Sequence, residues 1–363
     1  MTSSKTGADV CARTELAGLT TLRLGGPAAR FVRAERSADL VDAVRAADAD
    51  GERLLVLGGG SNLVIADAGF DGTVVRVATG GCGYDRLGDG SVQLTVEAGL
   101  DWDGTVGRTV AEDLGGLECL SGIPGLVGAT PVQNVGAYGV EVADLLVSVD
   151  LLDRRSGQVR TVAAEALRLG YRTSVLKGAD AAVVLRVRFV LADGGLSAPI
   201  RYAELARTLG VAVGVRVPVA DARAAVLELR RGKGMVLDPA DHDTWSVGSF
   251  FTNPVLADAA LPAVLDRVHA RFGADVVLPT YPAGVGRTKL SAAWLIERAG
   301  FGVGYPGPGG RVALSGKHTL ALTNRGTACT ADLLALAREV RDGVAAAFGV
   351  TLLPEPVLVD CAI

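Results

Sequence analysis

LSGIPGLVGATPVQNVGAYG, residues 120–139, carries glycines at 122, 125, 128, 136 and 139, two prolines, and the polar pair Gln133 and Asn134. Glycine enters left-handed backbone freely, while proline fixes φ and removes a donor, so the stretch is neither one helix nor one strand. The expected form is a long, rigid loop whose many N–H groups suit a diphosphate or the edge of a planar ring. Loops of this length inside a compact domain usually have a task, with a merely structural loop as the plain alternative.

A second glycine stretch, VLGGGSN at 56–62, follows the apolar run LLVL. Three glycines after a buried strand let backbone N–H groups approach an anion, and Ser61 and Asn62 add hydrogen bonds. It is not a dinucleotide fingerprint, because the third glycine of GxGxxG would fall on Leu63, and it lacks the GK[ST] ending of a P-loop. Taken alone it reads equally as a plain glycine turn.

Around these stretches short strands alternate with helices. RFVRAE reads as a strand, SADLVDAVRAADAD as a helix with Ser37 as N-cap, and LLVL, GTVVRVA and SVQLTVEAG as further strands. DWDGTVGRTVAEDLGG reads as a helix closed by its glycine pair. LLVSVDLLDRRSGQVRTV is expected as a hairpin about Ser156 and Gly157, and AAVVLRVRFVLA ends an α+β region near residue 192. DARAAVLELRRGKG reads as a helix with basic residues in its last turn, where the dipole favours them. The final third alternates again through LPAVLDRVHARFG, LSAAWLIERAG, HTLALTNRG and TADLLALAREVRDGVAAAFG. In the last of these Leu333, Leu336, Val340 and Val344 share one face, with Thr330 placed to cap it and Gly349 to end it. YPGPGGR reads as a loop and TLLPEPVLVD as a closing strand.

Composition narrows the function. Hydrophobic residues reach 49% and charged ones 21%, which is globular and not disordered. A formal net charge of −4 provides no basic field for nucleic acid or anionic membrane. Runs such as VVLRVRFVL are broken by arginine and too short for a membrane span, and the start MTSSKTGADVCARTEL has no secretory pattern, so a cytoplasmic protein is expected. Five scattered cysteines without a CxxC pair fit reduced thiols, and His242, His269 and His318 have no ligand spacing, so no metal site is expected. Only five of the 36 basic residues are lysines and only four residues are asparagines. Most of these rare residues lie in or beside the motif stretches.

Three residues stand out by setting. Ser249 sits in GSFFTNPV, 248–255, between a glycine and two phenylalanines. Arg172 lies in YRTS between predicted strands, and Glu355 in LPEPVLV is held extended by Pro354 and Pro356. A surface glutamate on an edge strand is the alternative for Glu355. A hydrolase reading has only His242, seven residues before Ser249, in its favour.

With these pieces in order the chain resembles the UDP-N-acetylenolpyruvoylglucosamine reductases, the MurB family of bacterial cell-wall flavoenzymes. The resemblance runs through TTLRLGGPA, LGGGSN, GLECLSGIPGLVGATPVQNVGAYG, YRTSVLK, RRGKGMVLD, GSFFTNPV, KLSAAWLIERAG, LSGKHTLAL and LPEPVLV. Each motif is weak alone; nine in the family order are specific. The segment after AGF lacks the family's lysine, and its glycine loop, 302–311, looks longer.

The resemblance implies an α+β fold with a vanillyl-alcohol-oxidase (PCMH) type FAD-binding domain of two α+β subdomains and a smaller α+β substrate-binding domain. The implied order is a tail at 1–20, the flavin domain at 21–192, a connector at 193–232 with Tyr202, and the substrate domain at 233–363, of which 350–363 returns to the flavin. It implies noncovalent FAD held by Gly58, Gly59, Gly60, Ser61 and Asn62 of the first stretch. The second stretch would add Gly122, Ile123, Pro124, Gly125, Gly128, Ala129 and Thr130, then Asn134, Gly136 and Ala137. NADPH is the implied hydride donor and the enolpyruvyl UDP-sugar the acceptor. Ser249 resembles the proton donor, and Arg172 and Glu355 the residues that stabilise the enolate. Tyr202, Lys233, Asn253 and Lys289 resemble substrate-binding positions, Tyr202 marking the subgroup with an extra loop. A monomer with no partner beyond its small-molecule substrates is expected. An FAD-dependent alcohol oxidase of the same flavin fold, and a nucleotide-binding protein without catalysis, are the alternatives; flavin absorbance and NADPH oxidation separate them.

Overall fold

Alternating burial along the strands shows why these segments pair. In Ser91–Glu97 the residues Val92, Leu94 and Val96 are buried, and in Ala182–Asp193 so are Val183, Leu185, Val187, Phe189 and Leu191. Period-two burial of β-branched and large apolar residues is the pattern of a sheet with one packed face. The computed structural model describes residues 9–363. Contacts divide the chain into two units, one holding the chain up to Glu15, Pro27–Gly60 and Gly69–Val236, the other Leu16–Gly26, Ser61–Ala68 and Leu237–Ile363.

Among the described residues the first unit contains two large sheets and the two-stranded hairpin of Gly136–Ala137 with Val140–Glu141. In one large sheet, the strands run in the order Asp9–Glu15, Pro27–Ala34, Phe70–Val77 and Leu54–Leu57. The first pair is antiparallel and the others are parallel. The helix Ser37–Ala49 makes the crossover between Pro27–Ala34 and Leu54–Leu57 and buries Leu40, Val41, Val44 and Ala47. The second sheet is antiparallel, in the order Gln158–Ala163, Leu146–Asp153, Ala182–Asp193, Ser91–Glu97 and Cys82–Arg86. Two α+β parts are therefore present, as the fold reading expects.

The second unit is built on smaller sheets and three helices, Leu261–Phe272, Ala292–Arg298 and Thr330–Phe348. Leu333, Leu336, Val340 and Val344 all face its core, and Gly349 ends the last helix at φ 72°. Val255–Ala257, Arg287–Leu290 and Thr280–Pro282 form one sheet, and Val312–Leu314 pairs with Leu322–Asn324. Val357–Val359 pairs in parallel with Leu63–Ile65.

Several local expectations are corrected. Ser37 is the first helical residue and caps nothing; its hydroxyl donates to Glu97 Oε2 at 2.6 Å. Thr330 is likewise helical, with Cys329 at the N-cap, while Asp67 accepts the Thr330 and Ala331 N–H groups at 2.6 and 2.9 Å. A carboxylate at a helix start satisfies orphan donors and suits the dipole, so the distant Asp67 shares the capping with the local Cys329–Asp332 capping box. The helix after Asp101 stops at Ala111, Asp113 turns left-handed at φ 54°, and Leu114–Gly115 pairs with the strand Ala182–Asp193. The closing strand is limited to Val357–Val359, because the two prolines before it remove ladder donors.

The expected tail is a strand from Asp9 to Glu15, and residues 1–8 lie outside the described range. The stretch 193–232, read as a connector, packs as part of the first unit: helices Ala203–Leu209 and Val219–Gly232 bury Leu205, Ala206, Ala222 and Val226 in its core.

Candidate active site

Residues 120–139 form the irregular loop expected of them, broken only by single 3-10 turns and the small hairpin of Gly136–Ala137 with Val140–Glu141. The loop touches the first glycine stretch. A Cβ on Gly59 would stand 2.5 Å from Gly125 Cα, and one on Gly128 2.5 Å from Ala98 Cβ. Only glycine lets two backbones approach this closely. A Cβ on Gly58 would stand 3.7 Å from Ala129 Cβ, and Gly60 turns at φ 63°. The two stretches thus make a cradle walled by backbone, and such a cradle fits a diphosphate.

The loop is anchored by its neighbours. Asp103 Oδ1 accepts from Gly122 N at 2.6 Å and from Arg223 Nη1 at 2.6 Å, so Arg223 balances a carboxylate aimed at the loop. Arg230 Nη2 donates to the carbonyls of Gly122 and Met235 at 3.3 and 2.7 Å. Asn134 is buried with its side chain engaged: Nδ2 donates to Glu141 Oε2 and Gly170 O, and Oδ1 accepts from Ala143 N. Thr130 turns its hydroxyl inward to Val127 O at 2.8 Å. Both side chains are thus spent on holding the loop, and the Thr130 N–H donates to Val127 O at 3.0 Å while its carbonyl accepts from Val135 N at 3.0 Å.

Arg172 is half-buried, and its Nη2 donates to Gly136 O at 2.6 Å. Lys177 Nζ in turn donates to the Arg172 carbonyl at 3.1 Å. Arg172 has φ 53°, Asn134 φ 48° and Tyr138 φ 51°, three non-glycine residues in left-handed backbone on segments that touch. Such conformations cost about 1–3 kcal/mol each and gather where function over-determines the backbone.

Tyr202 stands at the start of helix Ala203–Leu209, its ring edge-on to Tyr138 with centroids 5.5 Å apart. Burial pushes the Tyr138 hydroxyl up to about 12. Lys233, at the end of helix Val219–Gly232, donates to Glu204 Oε2 at 2.6 Å.

In the second unit Ser249 follows Gly248, at φ 73°, and precedes Phe250 and Phe251, both fully buried with rings 5.1 Å apart. Residues 250–252 pair antiparallel with 353–355. Glu355 N donates to Phe250 O at 2.9 Å, Thr252 N to Leu353 O at 3.1 Å, and Phe251 bridges Pro354. Asn62 joins them, accepting from Val357 N at 3.0 Å. Ser249, Glu355 and Asn62 are therefore carried on one packed set of segments. Asn253 Oδ1 accepts from Ala292 N at 2.9 Å, and Lys289 lies opposite Val255 with its ammonium 5.9 Å from the Tyr281 ring.

Sequence reasoning misses Asp103, Arg230, Tyr138 and Glu204. Tyr138 lies inside the glycine loop, and that position is a signal that could have found it; the others meet their partners only through the fold.

The family model described as FAD binding domain matches residues 28–163, and that of the UDP-N-acetylenolpyruvoylglucosamine reductase C-terminal domain matches 238–359. The UDP-N-acetylenolpyruvoylglucosamine reductase of Saccharopolyspora erythraea is 72% identical over 99% of this chain and 98% of its own. That of Nocardia farcinica is 60% identical over 98% of this chain and 91% of its own. The crystal structure of UDP-N-acetylenolpyruvylglucosamine reductase (MurB) from Thermus caldophilus matches with a TM-score of 0.65 at 25% identity, covering 97% of this chain and 99% of that one. With both parts matched and the relatives aligned end to end, the chain belongs to the UDP-N-acetylenolpyruvoylglucosamine reductase (MurB) family.

Proposed function

We propose that this protein reduces UDP-N-acetylenolpyruvoylglucosamine to UDP-N-acetylmuramate with NADPH, a step in making the peptidoglycan precursor. FAD, when bound, supplies the two-electron carrier between the nicotinamide and the enolpyruvyl double bond. The cradle of Gly58, Gly59, Gly60 and Gly125 supports its diphosphate, helped by Ser61 and Asn62. Gly122, Ile123, Pro124, Gly128, Ala129, Gly136 and Ala137 complete the wall, with Thr130 and Asn134 holding its shape through their hydrogen bonds.

Reduction of one enolpyruvyl carbon leaves negative charge on the other, shared with the substrate carboxylate as an enolate. Arg172 supplies a fixed cation for that charge; its bond to Gly136 O orients it beforehand, so little reorganisation is needed as the charge appears. Ser249 gives its hydroxyl proton to the anionic carbon: the O–H bond breaks, a C–H bond forms, and solvent returns a proton to the serine. A hydroxyl is a weak acid for this task, and close placement compensates. Glu355 can stabilise the enolate only as a hydrogen-bond donor, so its role needs the protonated carboxyl. Tyr202, Lys233, Asn253 and Lys289 bind the UDP part.

Among the described residues no helix is long and apolar enough to cross a membrane. We place the enzyme in the cytoplasm as a monomer, and sedimentation at the mass of two chains would refute the second point. The observation that carries the function is that family membership spans both units. The test is NADPH consumption by the FAD-loaded protein. It should rise sharply when UDP-N-acetylenolpyruvoylglucosamine is added, with UDP-N-acetylmuramate as product; no dependence on that substrate would reject the reading.

A further inference from the structure

Glu204 lies in the first turn of helix Ala203–Leu209, two residues after Tyr202, and its carboxylate accepts from the Lys233 ammonium at 2.6 Å. The two side chains are 31% and 35% exposed, so the pair is partly shielded from water. A lysine is a charge on a flexible four-carbon stem, and an unheld ammonium samples many positions. It also has three donors; one goes to Glu204 and two remain for an incoming anion. The same bond ties the helix start that carries Tyr202 to the end of helix Val219–Gly232. On its other side Tyr202 rests edge-on against Tyr138 of the glycine loop.

We propose that Glu204 is a positioning residue for the diphosphate end of the substrate, holding the Lys233 ammonium and the Tyr202-bearing turn in one arrangement. This rests on the assignment of Tyr202 and Lys233 to the UDP part of the substrate. An ion pair this exposed adds little to folding, so its effect belongs to binding, where ordering these groups in advance lowers the cost of association.

The test is steady-state kinetics of the FAD-loaded protein in a double-mutant cycle. Glu204→Gln keeps the size and a hydrogen-bond acceptor but removes the charge. It should raise KM for UDP-N-acetylenolpyruvoylglucosamine by about tenfold, the scale of a lost charge-assisted contact, while kcat falls much less. Lys233→Met should raise KM as well. Added to Lys233→Met, the Glu204→Gln change should have little further effect, since its partner is already gone. A normal KM in Lys233→Met alone would remove Lys233 from the site and this proposal with it. If Lys233→Met does raise KM, three results overturn the role of Glu204: an unchanged KM in Glu204→Gln, a fully additive double variant, or a lowered KM. The last would make Glu204 a competitor of the phosphate.

Discussion

The backbone N–H of Glu355 donates to the carbonyl of Phe250 at 2.9 Å, next in the chain to Ser249. Two residues distant in sequence are thereby fixed on adjoining backbone, with Phe250 and Phe251 buried beneath them. The aromatic pair in an aromatic-poor chain packs the segment that carries the serine. Pro354 and Pro356 hold the facing segment extended, leaving Glu355 little freedom to move away.

Gly59→Ala tests the cradle. The new methyl would lie 2.5 Å from Gly125 Cα, where backbone and not a flexible side chain must give way. Overpacking of this kind costs about 1–3 kcal/mol. The variant should fold but lose most of its FAD on gel filtration. Full flavin retention would show that the close approach is not needed for the cofactor.

The flavin should be noncovalent. Cys119 is the one thiol next to the second glycine stretch, and it is fully buried. Burial, with Glu118 beside it, pushes its thiol up to about 12, so it carries almost no reactive thiolate at neutral pH. Acid precipitation should leave the yellow colour in the supernatant, and Cys119→Ala should not alter that. Colour in the pellet would contradict this.

The loop at 120–139 is legible in the sequence because glycine and proline act on their own backbone. The strands and the long helix are legible from their period. The rest depends on residues meeting through the fold. Ser37 looks like a cap by local pattern, yet its hydroxyl finds Glu97; Thr330 looks like a cap, yet the distant Asp67 and the Cys329–Asp332 capping box do that work. The Glu204–Lys233 pair and the hold of Asp103 on Gly122 have no signature in local spacing. The strand Asp9–Glu15 is hidden in the sequence because its apolar alternation is weak.

Tyr202→Phe and Lys233→Ala should weaken binding of the UDP substrate more than they slow flavin reduction by NADPH. Loss of a charge-assisted contact costs about 1.5–3 kcal/mol, or roughly tenfold or more in affinity. An unchanged KM for the UDP substrate in both variants would remove these residues from the site.

Acid should destabilise the second unit through Asp332. The Arg311 guanidinium, then the N–H and thiol of Cys329, hold its carboxyl well below the usual carboxylate range. A lowered folded-state value stabilises the fold above the unfolded value of about 3.9 and is lost as pH falls through that value and below. Asp332→Asn should therefore melt lower at neutral pH and show a smaller fall in Tm on acidification below about pH 5. Melting curves that shift in parallel with the parent across that range would contradict the linkage.

The most direct test of the account is stopped-flow absorbance of the flavin in Ser249→Ala. Reduction by NADPH should stay close to the parent rate, because that half needs no proton at the substrate carbon. Reoxidation by UDP-N-acetylenolpyruvoylglucosamine should fall by at least ~10²-fold, the usual loss for a general acid, and Ser249→Cys should recover part of it. Equal slowing of both halves, or of neither, would mean that Ser249 is not the acid.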